Sequence, residues 1–239
     1  MDSPLSHLFD FSRISFLQHK QNSPEWELER RDGIGSSDLS KLLASNEYSC
    51  KRELAYDKLG FKPDYARRHS YALSRGHRQE PVARDYYSQK TNRNITAGFR
   101  GALLKARPYI RASIDGVFQE AGEFGVLEIK TLGKDSYLEK KNNLPEEYIA
   151  QVQYSAGILG LPKTSIVLFC PDQDAITWVD SPADPEIFTG LVNIVTDFWE
   201  NHIEKNVLPE PLDSGTPVCR SCVYRKTCKG MNSRGEIKD

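Results

Sequence analysis

The stretch Ser113-Ile114-Asp115-Gly116, followed by Gly125-Val126-Leu127-Glu128-Ile129-Lys130-Thr131, decides how this chain reads. The second run alternates, so Val126, Glu128 and Lys130 share one face of a strand. Asp115 precedes Gly116, a residue that permits a tight turn. One hairpin can therefore present Asp115, Glu128 and Lys130 together. Two converging acidic oxygens suit hard divalent cations, which bridge a phosphodiester and activate a water. A nearby ammonium can position that water or offset negative charge. Each part is weak alone, because an i, i+2 Glu–Lys pair is ordinary on an exposed strand. The surrounding sequence has to carry the rest.

With 239 residues, 27% charged and 38% hydrophobic, the chain can bury a full core as a single globular domain over residues 1–239. No apolar run approaches the roughly 20 residues needed to span a bilayer, which points away from a membrane partner. The start, Met1-Asp2-Ser3-Pro4, lacks the basic flank and apolar region of a secretory leader, which points to the cytoplasm. A net charge of −1 excludes a basic coat for nucleic acid but not a local basic cleft.

Outward from the hairpin, the order of elements suggests an α/β fold. Residues 1–20 read as an N-terminal tail. Ser23-Pro24-Glu25 opens a helix that ends near Gly33, and Ile34-Gly35-Ser36-Ser37-Asp38 opens another. Helices follow at 51–59 and about 70–89. Strands are expected around 94–99, 108–114, 117–119 and 124–131. Pro145-Glu146-Glu147 opens a helix closed by Gly160, then come strands at 164–170 and 175–180 and a helix at about 184–205. From Pro209 onward the chain should be loop. The expected architecture is a mixed central β-sheet flanked by helices.

Gln151 lies in Ala150-Gln151-Val152-Gln153-Tyr154, on a helical face shared with Tyr154, Ser155 and Ile158. Glu80 lies in Arg75-Gly76-His77-Arg78-Gln79-Glu80, where an acid could reach a cation from the opposite wall of a cleft. Taken with Trp26, Arg30, Gly33 to Asp38 and the Asp-Gly and Glu-x-Lys hairpin, this ordered set resembles the YqaJ-type viral recombinase family. That family includes phage lambda exonuclease and belongs to the PD-(D/E)xK nuclease superfamily. The resemblance covers roughly residues 20–170. It implies a restriction-endonuclease-like core, with Asp115 and Glu128 as Mg2+ or Mn2+ ligands and the Ile129 carbonyl as a further one. Lys130 would orient the attacking water, Gln151 would support it, and Glu80 would serve a second metal. Arg30 and Ser37 fall where the family holds a 5′-phosphate, a task suited to a helix start.

Five cysteines stand at 50, 170, 219, 222 and 228, an odd count that argues against a disulfide framework. Cys170 sits in a buried-strand pattern. Cys219-x2-Cys222-x5-Cys228 needs one more ligand to complete a metal site, and Cys50 is the candidate. Spacing alone leaves zinc and iron–sulfur open. This set is similar to that of a second branch of the superfamily, the CRISPR adaptation nucleases and the nuclease domains of helicase–nuclease complexes. That similarity implies a 4Fe–4S cluster joining the segment 209–239 to the helix near Cys50. Arg67, Arg68, Arg75, Arg78, Lys134, Lys140 and Lys141 are basic residues near the expected cleft. Arg220, Arg225, Lys226 and Lys229 surround the cysteines, and Tyr224 could stack on an unpaired base.

The expected function is a metal-dependent DNA exonuclease acting on linear ends in recombination or repair. A single-strand annealing or recombination protein is the candidate protein partner. The alternatives are a single-strand or flap endonuclease, or a non-catalytic iron–sulfur or zinc DNA-binding protein. The resemblance implies no single assembly: lambda exonuclease closes into a trimeric ring, whereas the helicase-linked relatives do not.

Overall fold

The computed structural model describes residues 8–17, 19, 23–43, 49–65, 71–98, 101–213 and 215–229. In chain order its elements are β1 (Ile14–Phe16), α1 (Pro24–Arg31), α2 (Leu39–Leu43), α3 (Lys51–Lys58), α4 (Tyr71–Thr91), β2 (Asn94–Ala97), β3 (Ala102–Leu104), β4 (Arg107–Ala112), β5 (Gly116–Glu120), β6 (Glu123–Thr131), α5 (Lys134–Lys140), α6 (Glu146–Leu159), β7 (Lys163–Cys170), β8 (Ala175–Pro182), α7 (Pro185–Phe198), α8 (Pro217–Ser221) and α9 (Arg225–Lys229). The main sheet runs β2-β5-β6-β7-β8, and β1-β3-β4 form a smaller antiparallel sheet. Only β6 and β7 pair in parallel in the main sheet, with Glu128 beside Ile166, so the sheet is mixed.

Alternation along the strands sorts the core into two layers. Val117, Val126, Ile166, Leu168 and Cys170 join the large cluster that includes α6 and α7. Phe118, Leu127, Ile129, Val167 and Phe169 pack with Ala83 and Tyr87 of α4 on the other face. Helices thus cover both faces, which is why β7 reads as a nearly continuous apolar run. β5 and β6 form a hairpin whose two-residue loop, Ala121 and Gly122, has φ of 51° and 84°. Positive φ at both positions is the twist a tight hairpin needs. At the hairpin end of the sheet, Arg93 binds both Glu120 and Asp180, joining β5 to the edge strand β8.

Several expectations change. Within the stretch expected to be a tail, Ile14–Phe16 form β1, and Phe9 and Ile14 are buried in the core. Residues 1–7, 18 and 20 of that tail, Arg67 and Arg68, residue 99 of the expected strand 94–99 and the end of the chain from 230 lie outside the described residues. The segment after Pro209 holds two short helices, α8 and α9, rather than loop alone. Gly116 has no positive φ. It is the first residue of β5, where an added Cβ would lie 3.1 Å from the Thr96 carbonyl oxygen. Close strand packing, not a turn, is what a glycine serves there. Among the described residues, no helix is long and apolar enough to cross a membrane.

Candidate functional site

At the open end of the β5–β6 hairpin, Gly116 pairs with Leu127, which sets Asp115 beside Glu128. The Asp115 carboxylate accepts from the Ile129 N–H at 2.7 Å. Within a strand, a residue's N–H and C=O face the same neighbour, so the Ile129 carbonyl faces the Asp115 side as well. Glu128 and Lys130 lie on the opposite strand face from Ile129, toward α6. There Gln151 joins them: its amide donates to Glu128 Oε1 at 2.7 Å, and its carbonyl oxygen accepts from Lys130 Nζ at 2.7 Å. Lys130 Nζ also lies 2.8 Å from Glu128 Oε1, which closes a triangle of charge-assisted contacts.

The backbone of Asp115 is fixed from two directions. Its carbonyl accepts from Gly98 N at 2.9 Å and from Arg84 of α4 at 2.9 Å. Only glycine fits at 98, because a Cβ there would sit 1.8 Å from the Ile114 carbonyl oxygen. The same Arg84 nitrogen pairs with Glu80, one helical turn earlier. Glu80 is thereby held on the wall of α4 that faces the hairpin. Sequence reading overlooked Arg84, although its i, i+4 spacing from Glu80 is a usable signal.

The electrostatics are those of a site with surplus negative charge. Burial, then Glu128, then Glu80 push the Asp115 carboxyl well above the usual carboxylate range. Burial likewise raises Glu128, against the pull of Lys130. Burial opposes the charge on Lys130, but the adjacent Glu128 outweighs it and keeps the ammonium above the ordinary lysine range. Asp115 and Glu128 flank Lys130, and Glu80 acts on both carboxyls from α4, so by chemistry these oxygens suit a divalent cation. Among the described residues, however, no group of three or more His, Cys, Asp or Glu side chains stands in a metal-ligating arrangement.

Arg30 lies in the last turn of α1, and Ser37 lies in the loop that follows, on the single turn Ser36–Asp38. Arg30 is 3.5 Å from Asp38 Oδ1, while Lys58 holds the other carboxylate oxygen at 2.7 Å. Burial alone would raise the Asp38 carboxyl, but Lys58 and Arg30 outweigh it and hold it low. Arg30 is the looser partner and stays 41% exposed. Ser37 faces outward, whereas Ser36 is buried and donates to the Ser113 carbonyl at 3.3 Å. The loop is thus tied to the strand end two residues before Asp115.

Cys50, Cys219, Cys222 and Cys228 line one cavity of about 250 Å³, with Arg52 and Tyr56 on its wall. Cys170 is elsewhere, fully buried in β7. Burial pushes the Cys222 thiol up to about 11 and raises that of Cys50 as well. Tyr224 does not face outward toward DNA. It is 2% exposed and stacks on Tyr56 with ring centres 5.2 Å apart, a long-range partner the local sequence does not reveal. Asp64 caps α9, accepting from Lys226 N at 2.6 Å and from the Thr227 hydroxyl at 2.6 Å. Among the basic residues, Arg75 pairs with Asp172 at 2.7 Å and Lys226 lies over Tyr65 at 5.0 Å.

The fold is shared with solved structures. An alkaline exonuclease, LHK-Exo, from Laribacter hongkongensis superposes with a TM-score of 0.61 at 22% identity, covering 75% of this chain and 92% of that one. A second LHK-Exo structure, in complex with dAMP, matches to the same degree. A phage-related exonuclease from Haemophilus somnus 129PT gives 0.52 at 14% identity, covering 73% of this chain and 96% of that one. In sequence, the uncharacterized protein YqaJ of Bacillus subtilis (strain 168) is 29% identical over 184 residues. That alignment covers 75% of this chain but 56% of the relative, so the chain spans little more than half of that protein's length. The YqaJ-like viral recombinase domain itself matches residues 25–162, more than half of the chain and all of the site from Arg30 to Gln151. The chain belongs to the YqaJ-like viral recombinase family.

Proposed function

We propose that this protein is a metal-dependent deoxyribonuclease that hydrolyses phosphodiester bonds from DNA ends. The observation that carries the reading is the Glu128–Lys130–Gln151 triangle facing Asp115, with Glu80 on the wall opposite. Alkaline exonuclease structures with the same fold support it. Asp115, Glu128, Glu80 and the Ile129 carbonyl would hold Mg2+ or Mn2+. Bound there, the ions would supply Lewis-acid stabilisation of phosphate charge and a more acidic water. Lys130, kept charged by Glu128, is a proton donor and cannot serve as a base. Its role is to orient a water or a phosphate oxygen by hydrogen bonding. Gln151 fixes that ammonium and Glu128 in one geometry, so the pair needs no reorganisation when substrate arrives.

Arg30 and Ser37 would receive a terminal 5′-phosphate. Arg30 is held loosely enough to exchange Asp38 for phosphate, because Lys58 already satisfies Asp38. The four cavity cysteines would bind a 4Fe–4S cluster joining α8 and α9 to α3. Support for the cluster is the cysteine arrangement alone: four thiols share one cavity, and Cys170 stands apart. Zinc is the alternative occupant. DNA is the substrate, and an annealing or recombination protein is the partner class for the resulting single strands.

The test is incubation with end-labelled linear DNA and covalently closed circles, in Mg2+ and in EDTA. Progressive loss of linear DNA in Mg2+ alone is expected, with circles intact. Cleavage of circles would replace the exonuclease reading with an endonuclease. Intact DNA in every Mg2+ and Mn2+ condition would reject the nuclease.

A further inference from the structure

The Lys130 ammonium has three N–H groups to place. Glu128 and Gln151 take two directions, at 2.8 and 2.7 Å. On the third side, Lys130 Nζ lies over the face of the Tyr148 ring, 4.8 Å from its centre. Tyr148 stands on α6 three residues before Gln151, so one helical face delivers both groups. The ring is half-buried, and burial raises its phenol, so it remains a neutral aromatic face. A fourth carboxylate in its place would add negative charge to a site already crowded by Asp115, Glu128 and Glu80. An aromatic face attracts a cation without adding net charge.

We infer that Tyr148 is a positioning residue: its ring face fixes the direction of the Lys130 ammonium through a cation–π contact. The inference rests on the nuclease reading for its consequence, but the contact itself can be observed apart from activity. Aromatic character, not the hydroxyl, carries the effect. Tyr148→Phe should therefore keep turnover within about twofold of wild type. Tyr148→Leu, which keeps a smaller apolar side chain without a π face, should lower kcat about tenfold with KM for DNA little changed.

The activity-free readout is the ring-current shift on the Lys130 side-chain methylene protons by NMR, with Lys130→Arg used for assignment. The shift should appear in wild type and Tyr148→Phe and vanish in Tyr148→Leu, with all three melting as folded proteins. No shift in wild type would overturn the inference, as would equal kcat for the Leu and Phe variants. A protein that cuts no DNA yet shows the shift would reject the nuclease reading and leave the Tyr148–Lys130 contact standing.

Discussion

The two groups of side chains proposed to hold metals, the acidic cluster and the four cysteines, are built on opposite principles. The carboxylate group is charged, so the fold must counter that charge before any ion arrives. It does so with the cations Lys130 and Arg84, while the neutral Gln151 ties Lys130 to Glu128 by hydrogen bonds. The cysteine group is neutral while its thiols stay protonated, and burial favours that state. It needs no counter-charge, and stacking of Tyr224 on Tyr56 and the Asp64 cap suffice to shape it. A charged site is thus legible as a network, whereas a neutral one is legible only as a cavity.

If charge organisation is what matters at the first site, removing one member should be costly. Asp115→Ala and Lys130→Ala should each lower cleavage of linear DNA by about 10²–10³-fold or more, with circular dichroism unchanged. Near-normal turnover of either variant in Mg2+ would break the comparison at its stronger side.

The second site should respond through stability and colour instead. Anaerobically purified protein is expected to be brown, and Cys222→Ser to lose the colour together with about 3 kcal/mol of stability, the linkage of a ligand near 100 times its Kd. Cys170→Ser should keep the colour. Colourless protein with stoichiometric zinc would sharpen the comparison differently, replacing the cluster by a single ion.

The pairing of Arg30 with Asp38 offers a third test. Arg30→Ala should slow digestion of 5′-phosphorylated ends by about 10- to 100-fold, the worth of a charge-assisted contact of roughly 1.5–3 kcal/mol. It should matter far less for 5′-hydroxyl ends. Equal wild-type rates on the two ends would remove Arg30 and Ser37 from the site.

The smallest effect follows from the Asp115 carboxyl, which burial, Glu128 and Glu80 hold well above its ordinary range. The folded chain then binds that proton more tightly than the unfolded chain does. The resulting stabilisation is fully present below about pH 4, the unfolded value, and is lost as pH rises through the raised folded value. In EDTA, wild type should lose up to ~1.4 kcal/mol per pH unit within that window relative to Asp115→Asn. Parallel urea-melt profiles for the two proteins would contradict the assignment.

The hairpin and the Gln151 helix were legible because their signals are local. Alternation fixes the face of Glu128 and Lys130, and helical spacing fixes Gln151. The small β1-β3-β4 sheet was not legible, since its strands β1 and β3 are three residues each and pair across most of the N-terminal region. Gly116 was read as a turn residue, yet its role is to let β2 approach, which no local pattern encodes. Tyr224 was misread for the same reason: its partner Tyr56 belongs to a distant helix. Arg84 is legible as the i, i+4 partner of Glu80, but its bond to the Asp115 carbonyl is long-range and no local pattern encodes it.

The Asp64 cap on α9 bears on time as well as on shape. The cap and the Asp64 N–H to Val223 carbonyl bond at 2.8 Å involve no sulfur. Were the proposed cluster lost, the chain would keep these bonds, and its thiols would stay gathered instead of dispersing with a free tail. Reloading would then require a local closure of side chains, which is a matter of repair rather than of folding anew.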